Sequence, residues 1–178
     1  LKWYRQAAEQ QLAAAQVNLG LMYANGKGVK QDYAEAARWW RQAAAQNNAI
    51  AAKNLGLMYY RGDGVAKDHA EAARWYRQAA EQNNAAAQNN LGAMYFQGEG
   101  VERDFGQAGK WFRLAADQNI AEAQVKLGIM HANGQGVQKD QAEAVKWYRR
   151  AAEQNEPTAQ NNLGVMYANG QGVEKDYV

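Results

Sequence analysis

Two histidines, one threonine and no serine or cysteine are all that 178 residues offer for nucleophilic or thiolate chemistry. Serine–histidine and cysteine–histidine arrangements cannot be assembled from that set, nor can disulfides or thiolate zinc sites. His131 has no second histidine or carboxylate cluster at ligand spacing, and it stands in register with Tyr23, Tyr59, Tyr95 and Tyr167. It therefore reads as a substituted packing residue, and no metal or cofactor is implied. Gly26-Lys27-Gly28 hints at a phosphate-cradling loop, but Gln31 stands where a third glycine would be needed and no strand precedes it. A helix cap and turn is the better account.

A further candidate is electrostatic. Arg5, Arg41, Arg77, Arg113 and Arg149 recur at one register position, a column that could follow a phosphate backbone. Glu35, Glu71 and Glu143 interleave with it, and the net charge is only +2. An ion-paired, solvated face outweighs a nucleic-acid stripe.

What positions all of these residues is a period. Met22, Met58, Met94, Met130 and Met166 lie 36 residues apart, as do five Leu-Gly pairs from Leu19-Gly20 to Leu163-Gly164. Trp3, Trp39, Trp75, Trp111 and Trp147 keep the same step. A fixed period of this length marks stacked supersecondary units, none able to bury its apolar face alone.

Within one unit, Ala51, Leu55, Met58 and Tyr59 form a helical stripe that Gly62-Asp63-Gly64 ends. Asp68 and Glu71 have capping-box spacing, and Ala72, Trp75, Tyr76 and Ala79 form the stripe of a second helix. Asn47, Asn83, Asn119 and Asn155 suit left-handed caps, and Pro157 suits a first helical position. These signals predict an all-α chain, an α/α solenoid of about five 36-residue helix-turn-helix repeats. The array comprises a partial repeat at 1–11, repeats at 12–47, 48–83, 84–119 and 120–155, and a partial repeat at 156–178. Ten helices are expected, first helices near residues 13–25 and second helices near 33–46, each at 36-residue intervals. The Trp, Met and Leu-Gly columns should be buried, with Trp40 only partly so.

Comparing copies within the chain separates scaffold from freedom. The varying first-helix positions follow i, i+3, i+7, i+10, for instance Ala14, Val17, Leu21, Ala24 and then Ile50, Lys53, Leu57, Tyr60. That spacing makes one stripe per helix beside the core stripe. Stacked helices should align these stripes into a groove with Lys53, Leu57, Tyr60, Asn89, Ala93, Phe96, Val125 and Ile129 as ligand-binding residues. Tyr60 and Phe96 stand out, because the other copies carry Ala there. They should be partly exposed and anchor one common ligand, as aromatics at hot spots do. The competing account is drift on a solvent face.

The runs Ala121-Glu122-Ala123-Gln124 to Leu127-Gly128-Ile129-Met130, Gly26 to Asp32 and Ala72 to Arg77 together resemble the Sel1-like repeat, relatives of the tetratricopeptide family. That family implies a right-handed α/α superhelix acting as an adaptor, with a protein or peptide partner on the concave side. For some cysteine-rich relatives it also implies β-lactam or peptidoglycan recognition, which here would be noncovalent. Those relatives lock each repeat with a disulfide; this chain has no cysteine.

The register also runs past both ends: Leu1 enters inside a second helix, and Asp176-Tyr177-Val178 stops as another should begin. An excerpt of a longer array, or copies stacking head to tail, is the expectation.

Overall fold

In the computed structural model residues 1–174 are described, and among them are ten helices and no strand. The first helices are α2 (Ala13–Asn25), α4 (Ala49–Arg61), α6 (Ala85–Gln97), α8 (Ala121–Asn133) and α10 (Pro157–Asn169). The second helices are α1 (Lys2–Glu9), α3 (Tyr33–Ala45), α5 (His69–Glu81), α7 (Phe105–Asp117) and α9 (Gln141–Ala152). The second helix expected at Asp176 lies outside the described residues.

The helix ends follow the residues that bound them. Asp32, Asp68, Asp104 and Asp140 accept the backbone N–H three residues on at 2.9–3.0 Å. Only half of the predicted capping box forms. The backbone N–H of each Asp is already taken by a first-helix carbonyl, as in Asp68 to Tyr59 at 3.0 Å. The glutamates are thereby released to pair outward: Glu71 with Arg74 and Glu143 with Lys146, each at 2.8 Å. Asn47, Asn83, Asn119 and Asn155 have φ between 59° and 66°, and Gln11 takes the same conformation at the same register.

The helices group into two compact units, residues 1–87 with 99–101 and residues 88–98 with those from 102 onward. In each, an aromatic ring of the second helix lies against the glycine of Leu-Gly. A Cβ at Gly56 would stand 2.6 Å from Tyr76 Cδ1, and one at Gly92 would stand 2.9 Å from Phe112 Cδ1. Only glycine allows that approach. Trp40 fills this role over Gly20, which corrects the expectation that it is partly exposed. It is 5% exposed because its indole N–H donates to the Val17 carbonyl at 3.2 Å, satisfying the one polar atom that burial would strand.

Leu19, Leu55, Leu91 and Leu127 are buried, as are Met58, Met94, Met130 and Met166, while Met22 and Leu163 are partly so. Trp39, Trp111 and Trp147 are interior; Trp75 is partly buried, and Trp3 is 77% exposed, a second correction. What buries an internal Trp is visible at Trp147, which packs with Ala108 and Phe112 of the preceding repeat and Leu127 of its own.

A buried glutamine was not anticipated. Gln16 is 0% exposed; it donates to the Ala8 carbonyl at 3.1 Å and accepts from Gln46 at 2.8 Å. Gln124 repeats both bonds, to Ala116 and from Gln154. Where Ala52 replaces it, Gln78 donates to the corresponding carbonyl of Ala44 at 3.0 Å. Gln16 also donates to Gln42 at 3.2 Å. Gln42 holds the register of Gln78 and can take over the Ala8 carbonyl. Gln16→Ala should therefore lower stability by about 0.5–1.5 kcal/mol, one net hydrogen bond. Urea unfolding of the two proteins measures this.

Candidate functional site

In the first unit the varying positions converge. Leu21 and Ala24 of α2, with Lys53 and Leu57 of α4, line a cavity of about 260 Å³ floored by Trp40 and Met58. Lys53 is half-buried, and burial pushes its pKa below the ordinary lysine value. No counter-ion or hydrogen-bond acceptor meets its ammonium among the described residues. Tyr60, one turn on, is partly exposed but occupied. Its ring stacks on His69 with centroids 4.9 Å apart, and its hydroxyl donates to Glu99 at 2.8 Å.

That bond, then burial and the Glu99 charge, raise the Tyr60 pKa above 10.0. The folded chain thus holds this proton more tightly than the unfolded one. The resulting stabilisation is complete below the unfolded value and is lost as pH rises through the folded one. The stability difference between the wild-type protein and Tyr60→Phe should be constant at neutral pH and shrink above about pH 10, as denaturant titrations at several pH values can check.

In the second unit, Asn89 of α6 is buried and its amide donates to Glu122 at 3.0 Å. Ala93 and Phe96 are partly buried against the same cluster; Phe96 packs edge-on to Phe105 at 5.1 Å and to Phe112 at 6.3 Å. Val125 of α8 is interior, against Ala144, Val145 and Tyr148. Ile129 and Ala132 of α8, with Thr158 and Val165 of α10, line a second cavity of about 520 Å³.

These placements sort the predicted residues. Lys53, Leu57 and Ile129 lie on cavities; Tyr60, Ala93 and Phe96 are partly exposed against protein neighbours; Asn89 and Val125 are interior. Among the stripe's second positions Val17, Asn89 and Val125 are buried and Lys53 is half-buried, whereas its first positions Ala14, Ile50, Ala86, Glu122 and Thr158 are exposed. Register explains the rest. Leu21, Ala24, Asn54 and Leu57 become Ile129, Ala132, Asn162 and Val165 three 36-residue periods later, and both sets line cavities. Ala24 and Ala132 leave space at the position where Tyr60 and Phe96 pack a ring against the next element.

The arginine column is largely committed within the protein. Arg5 donates to Tyr23 Oη at 2.8 Å, Arg41 to Tyr59 Oη at 2.9 Å, and Arg149 to Tyr167 Oη. Each bond ties a second helix to the first helix that follows it. Where His131 replaces the tyrosine, Arg113 turns instead to Asp117 at 3.3 Å and covers the Trp147 ring at 4.7 Å. Among the described residues no group of three or more His, Cys, Asp or Glu is placed to hold a metal. No helix among them is long and apolar enough to cross a membrane.

A family model described as Sel1 repeat matches residues 1–12, 13–48, 49–84, 85–120, 121–156 and 157–178. A protective antigen of uropathogenic Escherichia coli with an SLR fold is similar over 99% of this chain, at 43% identity and a TM-score of 0.96. The chain spans 38% of that antigen's length. A Sel1 repeat protein from Oxalobacter formigenes is 38% identical over 94% of this chain and 69% of its own, with a TM-score of 0.91. Cysteine-rich protein B of Helicobacter pylori, 24% identical, shares the fold with a TM-score of 0.59 over 78% of this chain and 99% of its own. Among curated proteins none matches.

Proposed function

The chain belongs to the Sel1 repeat family, commonly made of protein-interaction scaffolds, and we propose that it is a non-catalytic adaptor that takes a segment of a partner protein on the varying face of its first helices. The observation that carries this reading is the coincidence of variation with concavity. Within each unit, positions that the repeat leaves free line a cavity, while the constant positions fill the core. Leu21 and Val165, on those rims, are 37% and 49% exposed. Lys53, Leu57, Tyr60, Ala93, Phe96 and Ile129 are the accessible members of the proposed surface; Asn89 and Val125 shape it from within. The absence of serine and cysteine supports a binding rather than a catalytic role.

Selection from a displayed random-peptide library tests the reading. Wild-type protein should enrich a consistent set of peptides. Leu57→Glu should abolish the enrichment with little change in helicity, and Glu81→Lys, on the exposed side of α5, should leave it intact. Equal enrichment by Leu57→Glu would reject the surface.

A further inference from the structure

The cavity of the first unit is not merely apolar. Asn54 is 6% exposed, lines it, and its side-chain amide nitrogen has no hydrogen-bond partner. A buried amide donor without an acceptor is costly, and the register explains why this one has none. In the second unit the equivalent Asn162 acts on the Tyr148 hydroxyl, holding its pKa down against the rise that burial causes. In the first unit Trp40 stands where that tyrosine would be, and its N–H is spent on Val17. An indole offers no acceptor. The Asn54 donor is thereby left without an acceptor in the wall of the cavity.

Beside it sits the half-buried Lys53 ammonium without a counter-ion, and Arg61 also lines the cavity. Asp63 is the single acid on the wall, so the local balance is one positive charge. The rest of the wall is Leu21, Ala24, Leu57, Met58 and Trp40, with the polar side chains of Asn25 and Tyr33. At about 260 Å³ the space falls below the ~300–1,000 Å³ of pockets for whole small molecules. It fits one side chain or chain end.

We infer that this cavity is a subsite for a carboxylate carried on an aliphatic stem of the partner polypeptide, held by the Asn54 amide and the Lys53 ammonium. A carboxylate accepts both donors, its charge matches the uncompensated lysine, and hydrogen bonds of this charge-assisted kind are the strong ones. The stem lies on Leu57 and Met58. The inference rests on the adaptor reading and names the chemistry its surface selects.

The experiment uses the ¹⁵N-labelled full chain and three small probes. N-acetyl-leucine carries a terminal carboxylate, N-acetylglutamic acid α-amide a side-chain carboxylate, and N-acetyl-leucinamide neither. The Asn54 side-chain amide signal, identified by its loss in Asn54→Leu, should move saturably with at least one of the two carboxylates. Whichever binds more tightly identifies a chain terminus or an acidic side chain as the source. The neutral probe should bind at least tenfold more weakly, as should the preferred carboxylate to Lys53→Met. Trp40→Tyr, a residue already found at this register as Tyr76 and Tyr148, gives Asn54 an internal acceptor and should also weaken binding. Equal affinity for the neutral probe, an unmoved Asn54 signal, or undiminished binding by Lys53→Met would overturn the subsite. Library peptides captured through Leu57 alongside an unmoved Asn54 signal would defeat this inference alone. Carboxylate binding by a chain that enriches no peptide would instead defeat the adaptor reading.

Discussion

Gly136→Ala is expected to cost about 2–5 kcal/mol, whereas Gly134→Ala, two residues earlier in the same turn, should cost about 1–2 kcal/mol. Both glycines have positive φ, 68° and 73°, and a left-handed non-glycine residue costs roughly 1–2 kcal/mol wherever it stands. The difference lies in what a Cβ would meet. At Gly134 it would approach Lys139 Cβ at 3.1 Å, and a small shift relieves that contact. At Gly136 it would overlap the Phe105 carbonyl group and stand 2.7 Å from the Phe105 Cβ, at the start of the preceding second helix. Backbone cannot rotate aside, so an overpacking cost of about 1–3 kcal/mol is added. The second glycine is thus the point where consecutive repeats touch. Gly100 makes the same approach to His69 and Gly172 to Gln141. Denaturant midpoints of the two variants decide the matter; equal losses would mean that backbone conformation alone sets the requirement.

Trp147→Ala should cost about 3–5 kcal/mol, while Trp3→Ala, at the same register, should stay within about 0.5 kcal/mol of the parent. Trp147 is 2% exposed, and Arg113 and Arg150 cover its faces at 4.7 and 4.6 Å. Trp3 is 77% exposed, so truncation opens no cavity. A large loss from Trp3→Ala, read by thermal unfolding, would show that exposure is a poor guide to this column's energetics.

The architecture was legible because the repeat states each signal several times. Asp at the second-helix start, Asn at its end and glycine after the first helix each specify local backbone, and the helices begin and end within about a residue of where those signals place them. Legibility failed where a residue's role depends on a partner in another helix. The i, i+3, i+7, i+10 stripe located the variable face, yet helix geometry alone could not show that Asn89 meets Glu122 or that Val125 meets Tyr148. Trp40 looked like an overlarge substitute until the glycine beneath it and the Val17 carbonyl were in place. The buried glutamines carried one readable signal, a recurring polar residue within an apolar stripe at Gln16, Gln88 and Gln124. Their bonds reach residues 8 and 30 positions away, beyond any local pattern. The cavity residues were partly visible: Lys53 and Leu57 stood on the variable stripe, but the unpaired Asn54 amide follows from a Trp-for-Tyr exchange in a different helix.

The claim that the variable face of the first helices is the binding face is tested most directly by backbone amide shifts of the ¹⁵N-labelled chain on addition of a library-selected peptide. Perturbations concentrated at Leu21, Ala24 and Leu57, at Ile129, Ala132 and Val165, or at both sets are the predicted result. Perturbations confined to the outer side of the second helices, around Arg38, Arg74 and Lys146, would contradict it.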